Sequence, residues 1–193
     1  MPNNVQFQGD IAIDTEAMGL NYPRDRLCLV QLSDGQGDVH LVQFQNNYHA
    51  PNLSALLVNP SITKIFHFAR FDVAILRCYL KVLAAPIYCT KIASKLARTY
   101  TDLHGLKELC RELIGVQISK QQQSSDWGAK ELSKEQLDYA ASDVLYLHAL
   151  RDVLNNMLQR EGRMELAEKC FAFLPWRAEL DLAGWPELDI FAH

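Results

Sequence analysis

Residues 10–16 read DIAIDTE, a short β-rich run that ends in two acids placed two residues apart. Two further runs of this kind follow at 26–33 (RLCLVQLS) and 38–42 (DVHLV), and clusters of turn-forming residues separate them. This spacing predicts an antiparallel meander of three strands at the start of the chain.

Beyond the meander, helical and extended patterns alternate, and helices then dominate. ITKIFH at 62–67 predicts a further buried strand. The predicted helices start at Asn52, cover 70–80, 91–98 and 105–114, and end with a long helix that begins after Ser133, at a capping-box pattern with Gln136, and stops at Gly162. The whole pattern predicts an α/β fold, in which helices flank a mixed central sheet and the C-terminal half is helical.

The composition is that of one globular domain, with 193 residues of which 49% are hydrophobic and 22% are charged. We expect this domain to cover residues 1–174. Residues 175–193 are interpreted as a C-terminal tail whose large apolar side chains need cover, either from the domain itself or from a neighbouring subunit.

Charge and cysteine content narrow the possible functions. No apolar run approaches the ~20 residues that cross a bilayer, and the start lacks a secretion signal, so we expect no membrane partner and a cytoplasmic location. Five cysteines without a CxxC pair argue against a disulfide framework and a structural zinc site. The net charge of −4 would repel long nucleic acid, so any contact with nucleic acid must be local.

Three acids surround the predicted strands. Asp14 and Glu16 end the first strand two residues apart, so both carboxylates point to one face and need a proton or a cation to neutralise them. Taken alone, such a pair is usually solvated. Asp72 follows the strand at 62–67 and falls in the first turn of the next helix, a position that helix-end electrostatics alone would also favour.

A fourth acid, Asp143, lies in the apolar stretch LDYAASDVLYL, on a helix face that we expect to be partly buried. Tyr139 precedes it by four residues, so the two side chains share that face, and the tyrosine could equally pack against the acid and cap it. Jointly, the four acids and the tyrosine predict a hard-oxygen site for two divalent cations, Mg²⁺ or Mn²⁺. Paired ions of this kind indicate phosphoryl chemistry.

Three segments resemble the motifs of a known family: IAIDTEAMGL (11–20), KIFHFARFDVAIL (64–76) and SDWGAKELSKEQLDYAASDVLYL (125–147). The family is the DEDD superfamily of 3′–5′ exonucleases, in its tyrosine-bearing, ribonuclease D-like subgroup. The resemblance implies a ribonuclease H-like exonuclease fold, and it implies that Tyr139 orients the attacking water. The residues that it assigns to two metal ions are Asp14, Glu16, Asp72 and Asp143. Phe68 departs from the family, which often carries asparagine at that position.

The resemblance also implies an activity and an assembly. The expected activity is metal-dependent 3′–5′ hydrolysis of short RNA, especially diribonucleotides, to nucleoside 5′-monophosphates, and the expected assembly is a ring-like homo-oligomer of eight chains. An exonuclease acting on DNA or on longer structured RNA would use the same carboxylates. A catalytically inactive nucleic-acid-binding scaffold is the alternative from another class, although such a chain would be expected to have lost at least one acid.

Substrate contacts are expected on both sides of the acids. By the resemblance, Leu20 wedges between two bases, with ordinary packing as the alternative, and His67 contacts a phosphate or a base unless it is a core histidine. The full set of expected substrate contacts is Thr15, Ala17, Met18, Leu20 and His67. Lys91, Lys95 and Arg98 form a basic stripe on a predicted helix, which either binds phosphate or an acidic tail of another subunit, or is simply solvated.

Overall fold

The central strand of the sheet, β1 (Ile11–Ala17), carries the acidic pair at its carboxyl end. The structure is a computed structural model, and it describes residues 7, 9–119, 121–122 and 124–192. β1 pairs antiparallel with β2 (Leu27–Ser33), which pairs antiparallel with β3 (His40–Gln43), as the predicted meander requires. On the other side β1 pairs parallel with β4 (Lys64–Phe66), and β4 pairs parallel with β5 (Ile87–Cys89).

The strand order is therefore β3-β2-β1-β4-β5, a mixed sheet that confirms the predicted α/β fold. The described residues form seven helices: α1 (Pro51–Val58), α2 (Ala69–Leu80), α3 (Thr90–Ala97), α4 (Leu106–Leu113), α5 (Lys134–Leu145), α6 (Leu147–Arg160) and α7 (Met164–Leu182). β2 is buried along its whole length because α2 and α5 both pack on it. In the described part of the chain, no helix is both long enough and apolar enough to cross a membrane.

The start of α5 follows the sequence prediction, but its end does not. The Ser133 hydroxyl accepts a hydrogen bond from the Gln136 backbone N–H, and the Gln136 side chain accepts one from the Ser133 N–H, which completes the predicted capping box. The prediction of one long helix is wrong, because the helix is interrupted at Tyr146, between the end of α5 and the start of α6. No glycine or proline marks this break in the sequence.

The C-terminal tail does not begin where the sequence suggested. The expected boundary after residue 174 falls inside α7, which continues through Pro175 to Leu182. Asp181 anchors this last part of α7, because its fully buried carboxylate accepts hydrogen bonds of 2.6 Å from Arg70 of α2 and from Arg177. The first residues assigned to the tail therefore pack on the domain.

Candidate active site

Three carboxylates meet where the carboxyl end of β1 touches α5. β1 presents Asp14 and Glu16 on one face, as the two-residue period of a strand requires. α5 packs against β1 and adds Asp143, so that one carboxylate oxygen from each of the three residues lies within 4.8 Å of the others. All three side chains are half-buried.

The fourth acid, Asp72, stands behind this group in the first turn of α2, where the sequence placed it. Asp72 is buried, and its Oδ1 accepts a hydrogen bond of 2.7 Å from the Thr15 hydroxyl. The negative charge of Asp72 also raises the pKa of Asp14, so the two acids interact electrostatically. The Thr15 hydroxyl, expected to contact substrate, is thus already engaged in holding Asp72.

The electrostatics of the site favour either protonation of the acids or a positive charge among them. Burial, reinforced by repulsion from Asp72, Asp143 and Glu16, raises the pKa of Asp14 well above its usual range. Burial and the same repulsion raise the pKa of Glu16 to about 9. Burial also raises the pKa values of Asp72 and Asp143 to about 7. Carboxylate oxygens this crowded are the donor set that hard divalent cations prefer, so the residues fit the expected metal ions.

Tyr139 lies on α5 one turn before Asp143, and the interaction of its hydroxyl with the Asp143 carboxyl group lowers the pKa of that acid. The ring of Tyr139 packs against Trp127 with 6.0 Å between centroids. Burial and the nearby negative charge of Asp143 raise the pKa of the Tyr139 hydroxyl far above its usual value. The hydroxyl therefore stays protonated and can act as a hydrogen-bond donor.

Gln31 is a further site residue that sequence reasoning missed. It lies on β2 directly opposite Asp14, is fully buried, and places its Nε2 at 3.4 Å from Asp14 Oδ2. A neutral donor here favours the ionised form of Asp14 without adding charge. The only route to Gln31 from the sequence is the register of the β1–β2 pair, which the sequence does not specify.

The acids line a cavity of about 320 Å³ together with basic and polar side chains. Its wall includes His67, whose Nδ1 lies 2.9 Å from the Thr90 hydroxyl. Lys91 also lines this cavity, and so do Lys107 and Ser119, neither of which was predicted. Lys107 stands in the first turn of α4 without any motif around it, so no sequence signal singles it out.

A second cavity of about 460 Å³ adjoins the first and shares Thr15 and Glu16 with it. Ala17, Met18 and Leu20 line it, with Trp127 on the far side. Leu20 is 82% exposed, so the alternative that it packs in the core is wrong. Ser124 and Ser125 also line this cavity. They end the polar run QQQSS at 121–125, in which residue 123 lies outside the described residues.

The predicted basic stripe does not form as expected, because Arg98 turns inward. Only 1% of the Arg98 side chain is exposed, and it donates to the Leu103 carbonyl at 2.9 Å and pairs with Glu112. Its expected role as a phosphate contact is therefore wrong. Lys95 is exposed, and Lys91 places its Nζ 4.2 Å from the centroid of the Phe68 ring at the cavity mouth.

Comparison with known proteins shows the family to which this chain belongs. Residues 1–159 match the 3′–5′ exonuclease domain family. Ribonuclease D of Acidiphilium cryptum is 36% identical over 80% of this chain and 39% of that protein, so the chain spans about two fifths of the length of the ribonuclease D relatives it matches. The structure of Brucella melitensis NrnC bound to pGG has a TM-score of 0.97 and 59% identity over 100% of this chain and 95% of that chain. The same protein with bound Mg²⁺ has a TM-score of 0.96 and 58% identity over the same shares.

The chain therefore belongs to the 3′–5′ exonuclease family, with a ribonuclease D-like sequence, as its three motifs predict. Within this class it is similar over its whole length to NrnC, or nano-RNase C. The predicted ribonuclease H-like exonuclease fold is confirmed by these matches. Members of the family depend on divalent metal ions.

Proposed function

We propose that this protein is a metal-dependent 3′–5′ exoribonuclease that hydrolyses short RNA, especially diribonucleotides, to nucleoside 5′-monophosphates. The observation that carries the proposal is the group of carboxylates from Asp14, Glu16 and Asp143 within 4.8 Å, in a cavity that Tyr139 also lines. The similarity to NrnC, which has been seen with pGG, supports short RNA as the substrate.

The residues that would hold two Mg²⁺ or Mn²⁺ ions are Asp14, Glu16, Asp72 and Asp143. Bound there, the ions would lower the pKa of an attacking water and stabilise the leaving oxygen. The chain supplies the position of these ligands: Thr15 fixes Asp72 from one side, and Gln31 contacts Asp14 from the other.

Tyr139 orients the attacking water in this proposal. Its hydroxyl remains protonated and already lies against Asp143, so a water at the acids can accept its hydrogen bond. The packing of the ring on Trp127 restricts where the hydroxyl can point.

Substrate contacts follow from the two adjoining cavities. Leu20, exposed in the lining of the second cavity, is our candidate to wedge between two bases, and Ala17 and Met18 of the same lining are our candidates for contacts to the terminal nucleoside. Contact with a ribose 2′-hydroxyl there would distinguish RNA from DNA. His67 and Lys91 line the acidic cavity and are our candidates for contacts to phosphate, with Lys95 further along α3.

A homo-oligomer, with eight chains as the expected number, is the proposed assembly. Large apolar side chains are exposed on α7 and after it, namely Leu166, Phe173, Trp176, Trp185, Leu188, Ile190 and Phe191. A patch of this kind on a water-soluble enzyme favours a subunit contact. The mass in solution, measured by light scattering, checks this assembly. A cytoplasmic location stays a prediction, supported by five cysteines that are all unpaired.

The alternatives differ in how the structure bears on them. An exonuclease for DNA or for longer structured RNA would use the same four acids, so only a comparison of substrates separates it from the proposal. The scaffold alternative is less favoured, because all four acids are present and three of them converge.

The test of the proposal is hydrolysis of a 5′-labelled diribonucleotide with Mg²⁺ or Mn²⁺ by the wild type and by Asp14→Asn and Asp143→Asn. We expect turnover by the wild type and none by either variant, with unchanged or raised melting temperatures, because each substitution removes one of several repelling charges. Asp138→Asn is the matched control, since Asp138 is exposed on the same helix, and it should keep full activity. Activity within tenfold of the wild type in either site variant would defeat the two-metal assignment.

A further inference from the structure

Phe68 has a backbone conformation that is unfavourable for its side chain. It stands just before α2 with φ 65° and ψ 44°, in the left-handed region that residues with bulky side chains rarely adopt. Glycine or asparagine would take this conformation more easily. Strained backbone of this kind, where it persists, is found most often at functional sites.

Core packing does not explain the ring of Phe68. The side chain is 46% exposed, so burial of the ring does not compensate for the backbone strain. Phe68 instead lines the acidic cavity and also a neighbouring groove of about 280 Å³ between α3 and α7. The residue therefore stands on the border between the proposed catalytic centre and this groove.

The groove has an apolar floor and a basic rim. Ile92 and Leu174 form part of the floor, and Lys91, Lys95 and Arg177 bring positive charge to the same groove. Arg177 is paired with Asp181, whereas no described carboxylate forms an ion pair with Lys91 or Lys95. The two lysines therefore remain able to meet the charge of a phosphate.

Exposed aromatic rings beside lysine or arginine are the elements with which proteins bind single-stranded nucleic acid, because bases stack on the rings and phosphates meet the cations. Phe68 and Lys91 form such a pair, because the Lys91 Nζ lies over the Phe68 ring, 4.2 Å from its centroid. A cation in this position restricts the movement of the ring.

We propose that Phe68, steadied by Lys91, is the stacking platform for the base on the 5′ side of the scissile phosphate, and that Lys95 lies towards the phosphate of that nucleotide. The proposal rests on the proposed function and assigns a substrate contact to a residue that the acids and Leu20 leave unexplained. The left-handed backbone of Phe68 then serves to present the ring to the cavity instead of to the core.

The test compares three 5′-phosphorylated diribonucleotides: one intact, one lacking the 5′-side base and one lacking the 3′-side base. In Phe68→Asn, kcat/KM should fall about 10-fold to 100-fold for the intact substrate and for the one lacking the 3′-side base. For the substrate lacking the 5′-side base, the same variant should equal the wild type. Asparagine tolerates the left-handed backbone, so the melting temperature should be unchanged or higher.

Two further variants complete the test. Phe68→Tyr keeps a ring and should retain activity on the intact substrate. Tyr100→Asn is the matched control, because Tyr100 is 73% exposed with the Arg98 guanidinium 5.8 Å from its ring centroid, yet it lines neither cavity, and it should leave every rate unchanged.

The contrary outcomes are distinct. An equal loss on substrates with and without the 5′-side base would overturn the platform, and so would a change in oligomer size in Phe68→Asn, which would make the groove a subunit contact. Failure of the wild type to cleave the intact diribonucleotide would instead refute the proposed function itself.

Discussion

Asp14 and Glu16 show how a single pair of residues can oppose folding and serve chemistry together. Burial and repulsion from Asp72 and Asp143 raise both pKa values, so the folded protein binds protons that the unfolded chain would release. A bound divalent cation reverses this preference by stabilising the ionised forms. The acids should therefore reveal the metal site through stability as well as through activity.

The pH dependence of stability follows from these shifts. Between the ordinary carboxyl pKa near 4 and the folded values of about 7 for Asp143 and about 9 for Glu16, the folded state binds more protons than the unfolded state. The free energy of unfolding then falls as pH rises. We expect the melting temperature of the metal-free protein, measured in EDTA, to decrease between about pH 6 and pH 9.

Two comparisons sharpen this prediction. Saturating Mg²⁺ should remove most of the decrease, and Asp143→Asn in EDTA should show a shallower one, because it has one titrating group fewer. A metal-free melting temperature that stays level or rises over this range would show that the acids do not repel one another in the folded protein.

Tyr139→Phe tests the hydroxyl apart from the ring. The variant keeps the packing on Trp127 but loses the hydroxyl that is the proposed donor to the attacking water. We expect kcat to fall roughly 10²-fold with little change in KM, the size typical of one positioned catalytic group. Steady-state kinetics on a diribonucleotide give both constants. If KM carries most of the effect, Tyr139 is a substrate contact instead.

Much of the site was predictable residue by residue, because metal ligands need particular side chains at particular spacings. Asp14, Glu16 and Asp143 could be identified in this way from the sequence. Gln31 does not, because its contact with Asp14 depends on strand register. The prediction that Arg98 belongs to an exposed basic stripe was wrong for a different reason. Helical spacing gives the direction of a side chain relative to its own helix, but it does not show which other elements pack there.

At the scale of the elements, Arg98 joins α3 to α4. It follows the last residue of α3, pairs with Glu112 of α4, and donates to the carbonyl of Leu103 in the connection between the helices. Removing Arg98 would leave the Leu103 carbonyl without this donor, whereas Glu112 would keep its contact with Arg111.

We therefore expect Arg98→Ala to lower the free energy of unfolding by about 1–3 kcal/mol in a urea titration, because a buried side chain and its hydrogen bond to the Leu103 carbonyl are lost. KM for a diribonucleotide should stay unchanged well below the melting temperature. Arg111→Ala is the control, because Arg111 contacts the same Glu112 at 2.8 Å from an exposed position, and its loss should lower the free energy of unfolding much less. A raised KM with unchanged stability in Arg98→Ala would instead show that Arg98 contacts the substrate.

The elements themselves were predictable where local signals are strong. The meander and the capping box at Ser133 follow from turn residues and from side-chain chemistry that acts within a few positions. β5 has only three residues, too few for a pattern, and its pairing with β4 is a tertiary contact. The break at Tyr146 and the passage of α7 through Pro175 are likewise set by packing between elements.

For the whole molecule, the arrangement of cavities limits the length of substrate that can be bound strongly. The exposed Leu20, the acids and Phe68 follow one another across adjoining cavities and the groove. This series has room for strong contacts to two nucleotides. A net charge of −4 leaves little surface to attract further phosphates. Longer strands should thus gain little affinity.

The measurement that tests this account most directly compares kcat/KM for a 5′-phosphorylated diribonucleotide with that for a ten-residue RNA, under the same Mg²⁺ concentration. We expect the higher value for the diribonucleotide, and Leu20→Ala should lose mainly this advantage, because in the proposed pocket Leu20 caps the second base and a longer strand has to displace this cap. Equal or better cleavage of the ten-residue RNA by the wild type would contradict the account and leave a general exonuclease with the same four acids.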